Sequence, residues 1–349
     1  MTTSPELSVV LPVYNEIENL DDLRTRLTAV LNGCGRSWEI VFVDDGSRDG
    51  SFAKMASFAR EDGRIRVVRF ARNFGHQMAL TAGVDHARGG LVAVMDADLQ
   101  DPPEILPEML KRIDEGYEVV YAQRTAREGE TAFKKTTAAA FYRLMRRWTN
   151  VEIPVDTGDF RLMGPRAVEA FRSLRERHRF IRGLAAWVGF AQTGVPYVRP
   201  PRTRGETKWP LRKMLRFAVD ALTSFSHVPL QLATWLGFAV SAFSFLYIVV
   251  VLVLKIRGVN VTGWTTLMFF ILFLGGVQLI VVGVLGEYVG RIYEEVKRRP
   301  LYLVAEVVEG GPAVSPRLDV NATLPTARPA AAAHAPAAPD DEPRQFHTP

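Results

Sequence analysis

The side chains best suited to chemistry are two aspartates one residue apart, Asp96 and Asp98, within the stretch VMDADLQDPPE (Val94–Glu104). An apolar run, Leu91 to Met95, delivers them to the end of a β-strand. Residues two apart on a strand share a face, so both carboxylates point one way, with the amide oxygen of Gln100 at the next same-side position. Hard oxygen donors of this kind suit Mg²⁺ or Mn²⁺, and such an ion would neutralise a diphosphate. The DPPE that follows reads as a helix start, with Asp101 at the N-cap, Pro102 at N1 and Glu104 at N3 reaching back as in a capping box. An isolated DxD would be equally at home in a polar β-turn, so its meaning depends on the elements around it.

From Leu7 to Arg124, β-rich runs alternate with helical patterns: LSVVLPVY, a helix from about Asn19, WEIVFVDD, a helix from about Asp49, IRVVRF, LVAVMDAD and EVVYAQ. This order predicts an α/β fold built on a doubly wound, mostly parallel sheet. In such sheets ligands bind beyond the carboxyl ends of the strands. The segments Pro12-Val13-Tyr14-Asn15-Glu16, Asp44-Asp45-Gly46-Ser47 and Asp96-Ala97-Asp98 fall at three of those ends and point to a nucleotide pocket. Neither GxGxxG after the first strand nor GxxxxGK followed by Ser or Thr is present, so phosphate binding falls to a metal and to cationic side chains.

LPVYNE, VDDGSRDGS, RNFGHQMALTAG, MDADLQDPPE and DTGDFRLM occur in this order, and together they resemble the GT-A glycosyltransferases of family 2. Within that family they are similar to the polyprenyl-phosphate glycosyltransferases, the group of the dolichol-phosphate mannose synthases and the bactoprenol glucosyltransferases. The likeness runs from Leu7 to about Arg299. It implies a GT-A, Rossmann-like sheet in which Pro12, Tyr14, Glu16, Asp44 and Asp45 hold the base and ribose. It also implies that Asp96, Asp98 and Gln100 hold a metal on the diphosphate. Read locally, Gly158 supplies a turn that Asp156 caps; the resemblance instead makes Asp159 the base near the acceptor. A phosphate monoester, with a second pKa of about 6, is already largely ionised at neutral pH. Asp159 is therefore expected to orient that phosphate or to take its residual proton.

Two basic groups are expected to receive the phosphate, with a solvated loop as the alternative for each. Arg202, Arg204 and Lys208 surround Gly205, and with Thr207 they match the family's RxxGxSK pattern, Thr standing where Ser is usual. Arg124, after the fifth strand, resembles the family's acceptor-side arginine. Arginine offers bidentate recognition and lysine a point charge.

The second half faces a membrane. Leu232–Leu254 carries no charge over 23 positions and Thr265–Leu285 none over 21, each long enough to cross a bilayer. Arg212, Lys213 and Arg216 before this hairpin, and Arg291, Lys297, Arg298 and Arg299 after it, outnumber Lys255 and Arg257 between the spans, which puts both flanks in the cytoplasm. Phe133–Trp148 and Leu211–Leu222 are amphipathic with basic flanks; surface helices packed on the core are the alternative for both, and the basic flank and the apolar segment that follows favour a place at the membrane interface for at least the second. Gln278 reads as a contact between the spans, and Gly275 and Gly276 could pack copies of the chain together. Leu301–Val308 reads as a short strand added to a sheet edge or a neighbouring subunit, or as a loop. From Gly310 onward Ala and Pro dominate, which predicts disorder.

The expected organisation is a catalytic domain over 1–204, a juxtamembrane helix over 205–230, two spans within 231–289, a post-membrane segment over 290–309 and a tail over 310–349. The net charge of +5, with its basic residues clustered, fits an anionic partner, and no nucleic acid is expected. A single cysteine, Cys34, allows no intramolecular disulfide and fits a reducing compartment. The start lacks a basic region followed by an apolar core, so the reading is a multi-pass protein of the bacterial inner membrane with both termini cytoplasmic.

The expected activity is inverting, metal-dependent transfer of one hexose from a nucleotide sugar to a polyprenyl phosphate. UDP-glucose is the expected donor and GDP-mannose the alternative, because the two-span tail and RGETKWPLRKML look more like the bactoprenol glucosyltransferases. A processive polysaccharide synthase would carry QxxRW and more spans. Nucleotidyl transfer would need a glycine-rich basic loop after the first strand. A non-catalytic nucleotide-sugar scaffold is opposed by the joint presence of Asp96, Asp98, Asp159 and Arg202.

Overall fold

The structure, a computed structural model, describes residues 4–125, 157–198, 228–258 and 263–310. Its first strand, β1 (Leu7–Val13), is buried along its whole length because both of its faces are covered. Leu7, Val9, Leu11 and Val13 join one apolar cluster, while Val10 joins another on the opposite side. A period-two side-chain alternation between two apolar layers reads in sequence as an unbroken apolar run. The helix α1 (Leu20–Gly33) buries Leu20, Leu23, Leu27 and Leu31 on one face, at the three- and four-residue spacing of a helical stripe.

The succession continues as β2 (Trp38–Asp44), α2 (Ser51–Glu61), β3 (Ile65–Phe70), α3 (His76–His86), β4 (Leu91–Val94), α4 (Leu106–Asp114) and β5 (Val119–Arg124). After β6 (Thr157–Met163) come α5 (Pro165–Ser173), α6 (Ile181–Trp187) and β7 (Gln192–Tyr197). The sheet has eight strands in the order β7-β5-β6-β4-β1-β2-β3-β8, with β8 spanning Val304–Val308. Its centre, β4-β1-β2-β3, is parallel, as expected.

Two local expectations resolve differently, and a third, open between strand and loop, is decided. DTGDFRLM is no turn: Thr157 to Met163 form β6, inserted antiparallel between β4 and β5. A Cβ at Gly158 would stand 2.7 Å from Nη2 of Arg124, the far end of a flexible side chain that lies over the strand. Asp156 lies outside the described residues. The capping box is also absent. Asp101 is fully buried and accepts a hydrogen bond from the Tyr197 hydroxyl at 2.9 Å, while Glu104 pairs with Arg26 at 2.9 Å. A buried phenol needs an acceptor, and that demand outweighs an exposed helix start. Finally, within Leu301–Val308 the residues Val304–Val308 do supply a strand at the sheet edge, β8, antiparallel to β3.

Two helices, α7 (Val228–Ile256) and α8 (Trp264–Val296), are long and apolar enough to cross a membrane. They pack through rings, with Tyr247 and Phe270 centroids 4.8 Å apart, and leave large apolar side chains such as Trp235, Phe245 and Leu272 exposed. The 33 residues of α8 extend about 50 Å, beyond a hydrocarbon core of about 30 Å. Its last turns carry Glu287, Arg291, Glu294 and Glu295, and Glu295 accepts the backbone N–H of Arg177 at 2.7 Å. Beyond α8, Tyr302 stacks on Phe70 and donates its hydroxyl to Asp85 at 2.7 Å. The end of α8 is thereby tied to the sheet and to α3.

Helix α3 lies close against β1 at Gly83, where a Cβ would enter the Val10 side chain. Gly83→Val therefore overpacks the layer that aims α3, and we expect a loss of about 1–3 kcal/mol, read as a lower thermal midpoint. His86, at the other end of the same helix, titrates below its usual value because burial, with Arg66 nearby, outweighs the opposing pull of Asp85. The unfolded chain binds a proton on His86 more readily than the folded one does. Stability should then fall as pH drops below the usual histidine value of 6.5, and His86→Gln should flatten that slope in thermal melts across pH 5 to 7.

Candidate active site

Strand β4 pairs with β6 so that Val94 stands opposite Arg161. Two residues further on, Asp96 and Asp159 reach the same spot, and Nε2 of His76 lies between them, 3.4 Å from Asp96 Oδ1 and 3.3 Å from Asp159 Oδ2. His76 opens α3, directly after Gly75 at φ +101°, a backbone conformation that glycine adopts without strain. This histidine belongs to the RNFGHQ motif, and the sequence alone assigns it no task. The available signal was a titratable ring placed at a helix start beside a glycine, beyond the end of β3.

Burial opposes protonation of His76, but contact with Asp159 and the charge of Asp96 outweigh it and hold its pKa above the usual value. Asp96 behaves in the opposite sense. Burial, helped by the neighbouring Asp101, Asp159 and Asp98, pushes its carboxyl up to about 7 against the pull of His76. Its Oδ1 is a buried oxygen that accepts no hydrogen bond. Excess negative charge and an unmet lone pair are what a divalent cation relieves, so the donor set fits one. Among the described residues no three His, Cys, Asp or Glu side chains converge closely enough to enclose an ion. An ion held here would need further ligands from water or a bound phosphate, as Mg²⁺ commonly takes at phosphate sites. The turn beyond is held by Asp98 Oδ1, which accepts the Gln100 N–H at 3.1 Å, and by Leu99 at φ +61°. A left-handed leucine costs of order 1–3 kcal/mol and marks a turn whose shape is over-determined by its surroundings.

The loops after β1 and β2 are laced together. Asn15 donates its N–H to Ser47 Oγ at 3.0 Å, and its side-chain oxygen accepts the N–H of Arg48 at 2.8 Å. Pro12 is buried, Tyr14 is 48% exposed, and Glu16 accepts the Asn19 amide at 2.6 Å. Asp44 is sealed in: Oδ1 takes the Ser47 N–H at 3.0 Å, and the buried Oδ2 accepts no hydrogen bond, with Arg69 3.6 Å away. The Asp45 carboxylate, expected on the base and ribose side, accepts the backbone N–H groups of Phe74, at 2.7 Å, and Gly75, at 3.0 Å. Those amides precede the first turn of α3 and need an acceptor, so Asp45 positions His76.

On the far side, Arg124 donates Nε to the Tyr197 hydroxyl at 3.1 Å, and Tyr197 in turn holds Asp101. Asp159 is gripped by Arg182, with Nε 2.9 Å from Oδ1. Arg161 backs the same strand by donating to the carbonyls of Asp159, Gly158 and Ile181. Burial alone would raise the Asp159 carboxyl, but Arg182, the His76 contact and Arg161 hold it well below the usual carboxylate range. Arg182 carries no signal in the sequence, since only the fold brings it to Asp159. Arg202, Arg204, Thr207 and Lys208 lie outside the described residues, as do Phe133–Trp148, Leu211–Leu222 and the tail.

In a parallel-centred α/β sheet ligands bind beyond the carboxyl ends of the strands, which is where these carboxylates gather. Residues 8–171 match the model of glycosyl transferase family 2. The chain is 49% identical over 305 residues to the uncharacterized glycosyltransferase YkcC of Bacillus subtilis, covering 87% of this chain and 94% of that one. It is 39% identical over 308 residues to the SfII prophage-derived bactoprenol glucosyl transferase of Shigella flexneri, covering 88% and 100%. Among solved structures, the mannosyltransferase PcManGT from Pyrobaculum calidifontis, in complex with GDP-Man and Mn²⁺, aligns over 56% of each chain with a TM-score of 0.40 and 20% identity. The chain belongs to glycosyltransferase family 2 and is a transferase of glycosyl groups.

Proposed function

We propose that the enzyme moves one hexose, glucose from UDP-glucose, onto a polyprenyl phosphate at the cytoplasmic face of the bacterial inner membrane. One observation carries this reading: the carboxylate cluster of Asp96, Asp98 and Asp159 shares a scaffold with an apolar helix whose end is tied to it through Arg177 and Glu295. Likeness to the Shigella flexneri enzyme over that protein's whole length supports the lipid acceptor and the sugar. In this reading α7 and α8 cross the membrane as a hairpin with both flanks cytoplasmic, and they keep the enzyme where its acceptor lies.

The acceptor phosphate oxygen attacks the anomeric carbon from the face opposite the nucleotide. The bond from that carbon to the diphosphate oxygen breaks, the configuration inverts, and the nucleoside diphosphate leaves. No protein nucleophile takes part. Pro12, Tyr14, Glu16, Asp44 and Asp45 form the base and ribose side of the nucleotide site. Asp96 and Asp98, with Gln100, would hold Mg²⁺ or Mn²⁺, which when bound neutralises charge gathering on the leaving diphosphate. Asp159 orders the acceptor side, with Arg124 and the Arg202, Arg204, Thr207 and Lys208 group as further phosphate contacts.

The test incubates detergent-purified protein with Mg²⁺ or Mn²⁺, undecaprenyl phosphate and a panel of labelled nucleotide sugars, and reads label in the lipid phase. Label from UDP-glucose alone is expected. Label from GDP-mannose instead would reassign the donor. Absence of lipid label from every donor, with nucleotide binding intact, would favour a non-catalytic scaffold.

A further inference from the structure

Arg182 stands where an incoming anion most needs a cation. Asp96 and Asp159 face each other across His76, with Asp98 and Asp101 close by. A phosphate that approaches this place adds negative charge to an acidic cluster already beside a diphosphate. Direct contact between Asp159 and that phosphate is repulsive, so a cation has to stand between them.

Two arginines touch Asp159, and their settings differ. The Arg161 side chain is 4% exposed, and Nε, Nη1 and Nη2 each donate to a backbone carbonyl, which makes it a brace for β6. The Arg182 side chain is 27% exposed. Asp159 grips one edge of its guanidinium, Nε at 2.9 Å from Oδ1 and Nη2 at 3.5 Å from Oδ2. The five N–H donors of arginine lie in one rigid plane, so holding one edge fixes the direction of the rest.

The segment that carries Arg182 also leads from the membrane end of the molecule. Arg177 donates its N–H to Glu295, in the last turn of α8, and its Nη1 to the carbonyl of Arg299, just beyond that helix, at 3.0 Å. Four residues later the Ile181 N–H donates to Gln77 Oε1 at 2.9 Å, next to His76. The strap 177–182 is thus pinned at the apolar helix and at the active site. An anion presented at the membrane surface meets Arg182 at the inner end of this strap.

We propose that Arg182 receives the phosphate monoester of the acceptor, and that Asp159 is a positioning residue that holds the guanidinium plane. This rests on the lipid-phosphate transfer proposed above. Because the ligand chemistry is the phosphate monoester, a free phosphate should compete for the same contact.

The experiment uses the full chain in detergent and measures initial rates against undecaprenyl phosphate at saturating donor, and against donor at saturating acceptor. Arg182→Lys and Arg182→Gln should raise the acceptor KM roughly 10- to 100-fold, the worth of a charge-assisted hydrogen bond, while leaving the donor KM within about twofold. UDP binding and the thermal midpoint, followed in parallel, report folding, and Arg182→Lys decides the matter if Arg182→Gln does not fold. Inorganic phosphate forms the second arm. Competition in wild type that weakens in the variants shows that the phosphate alone is recognised. No competition, with the acceptor KM still raised, shows that Arg182 reads the phosphate only on its lipid. An unchanged acceptor KM, or equal increases for donor and acceptor, overturns the assignment. A wild-type enzyme that labels no lipid instead brings down the transfer reading and this inference with it.

Discussion

Asp98→Ala should lower sugar transfer by about 10²–10³-fold, the cost of removing a group that stabilises charge on a departing atom. The variant should fold, because Asp98 is half-buried and sits at a turn rather than in the sheet. Its Oδ1 does hold that turn by accepting the Gln100 N–H at 3.1 Å, so alanine removes both a charge and a turn contact. Asp98→Asn separates the two, since its side-chain oxygen can still accept the N–H while the negative charge is gone. If charge at a cation is what matters, asparagine should be nearly as inactive as alanine at saturating Mn²⁺, and the metal concentration needed for half-maximal rate should rise. Transfer by Asp98→Asn within about threefold of wild type would overturn the assignment, since removing a genuine charge-stabilising contact costs far more.

What could be read from the chain depended on the range of the interactions involved. Leu20, Leu23, Leu27 and Leu31 announce α1 because a helix repeats within a few residues, and the parallel strands announce themselves as apolar runs because both their faces are buried. The edge strand β8 was legible as a β-rich run, although nothing local named β3 as its partner. Asp159 could be singled out only by its resemblance to a family motif. Its surroundings were hidden because His76 is 83 residues away in sequence and Arg182 is 23. The same holds for Asp101, which looks like a helix cap until Tyr197, 96 residues on, claims it. Local rules place a residue on an element, and the sheet register then decides which of its possible partners it meets.

Asp159→Asn should reduce transfer by about 10²-fold, the scale of loss expected when a reacting group is displaced by an ångström, and the loss should be uniform across neutral pH. Two roles for this carboxylate make opposite predictions. As a base it would matter only while the acceptor still carries a proton, and a phosphate monoester loses its second proton near pH 6 or so. A base-less variant would therefore recover as pH rises to 8.5. As the holder of Arg182 it matters at every pH, since asparagine cannot pair the guanidinium with equal strength. Its setting favours the second role: although burial opposes ionisation, Arg182, His76 and Arg161 keep the carboxyl well below its usual range, which makes it a poor proton acceptor. The linkage has the matching sign. A depressed carboxyl stabilises the fold above its unfolded pKa and loses that contribution as pH falls through the folded value, so at pH 7 the contribution is fully present. Removing the charge leaves Arg161, buried, and Arg182, partly buried, short of their partner, and the thermal midpoint of Asp159→Asn should fall at pH 7 and converge on wild type only in acid. Rates measured from pH 6 to 8.5 decide between the roles: a deficit that persists at the alkaline end identifies a positioning carboxylate, and recovery there would restore Asp159 as the base.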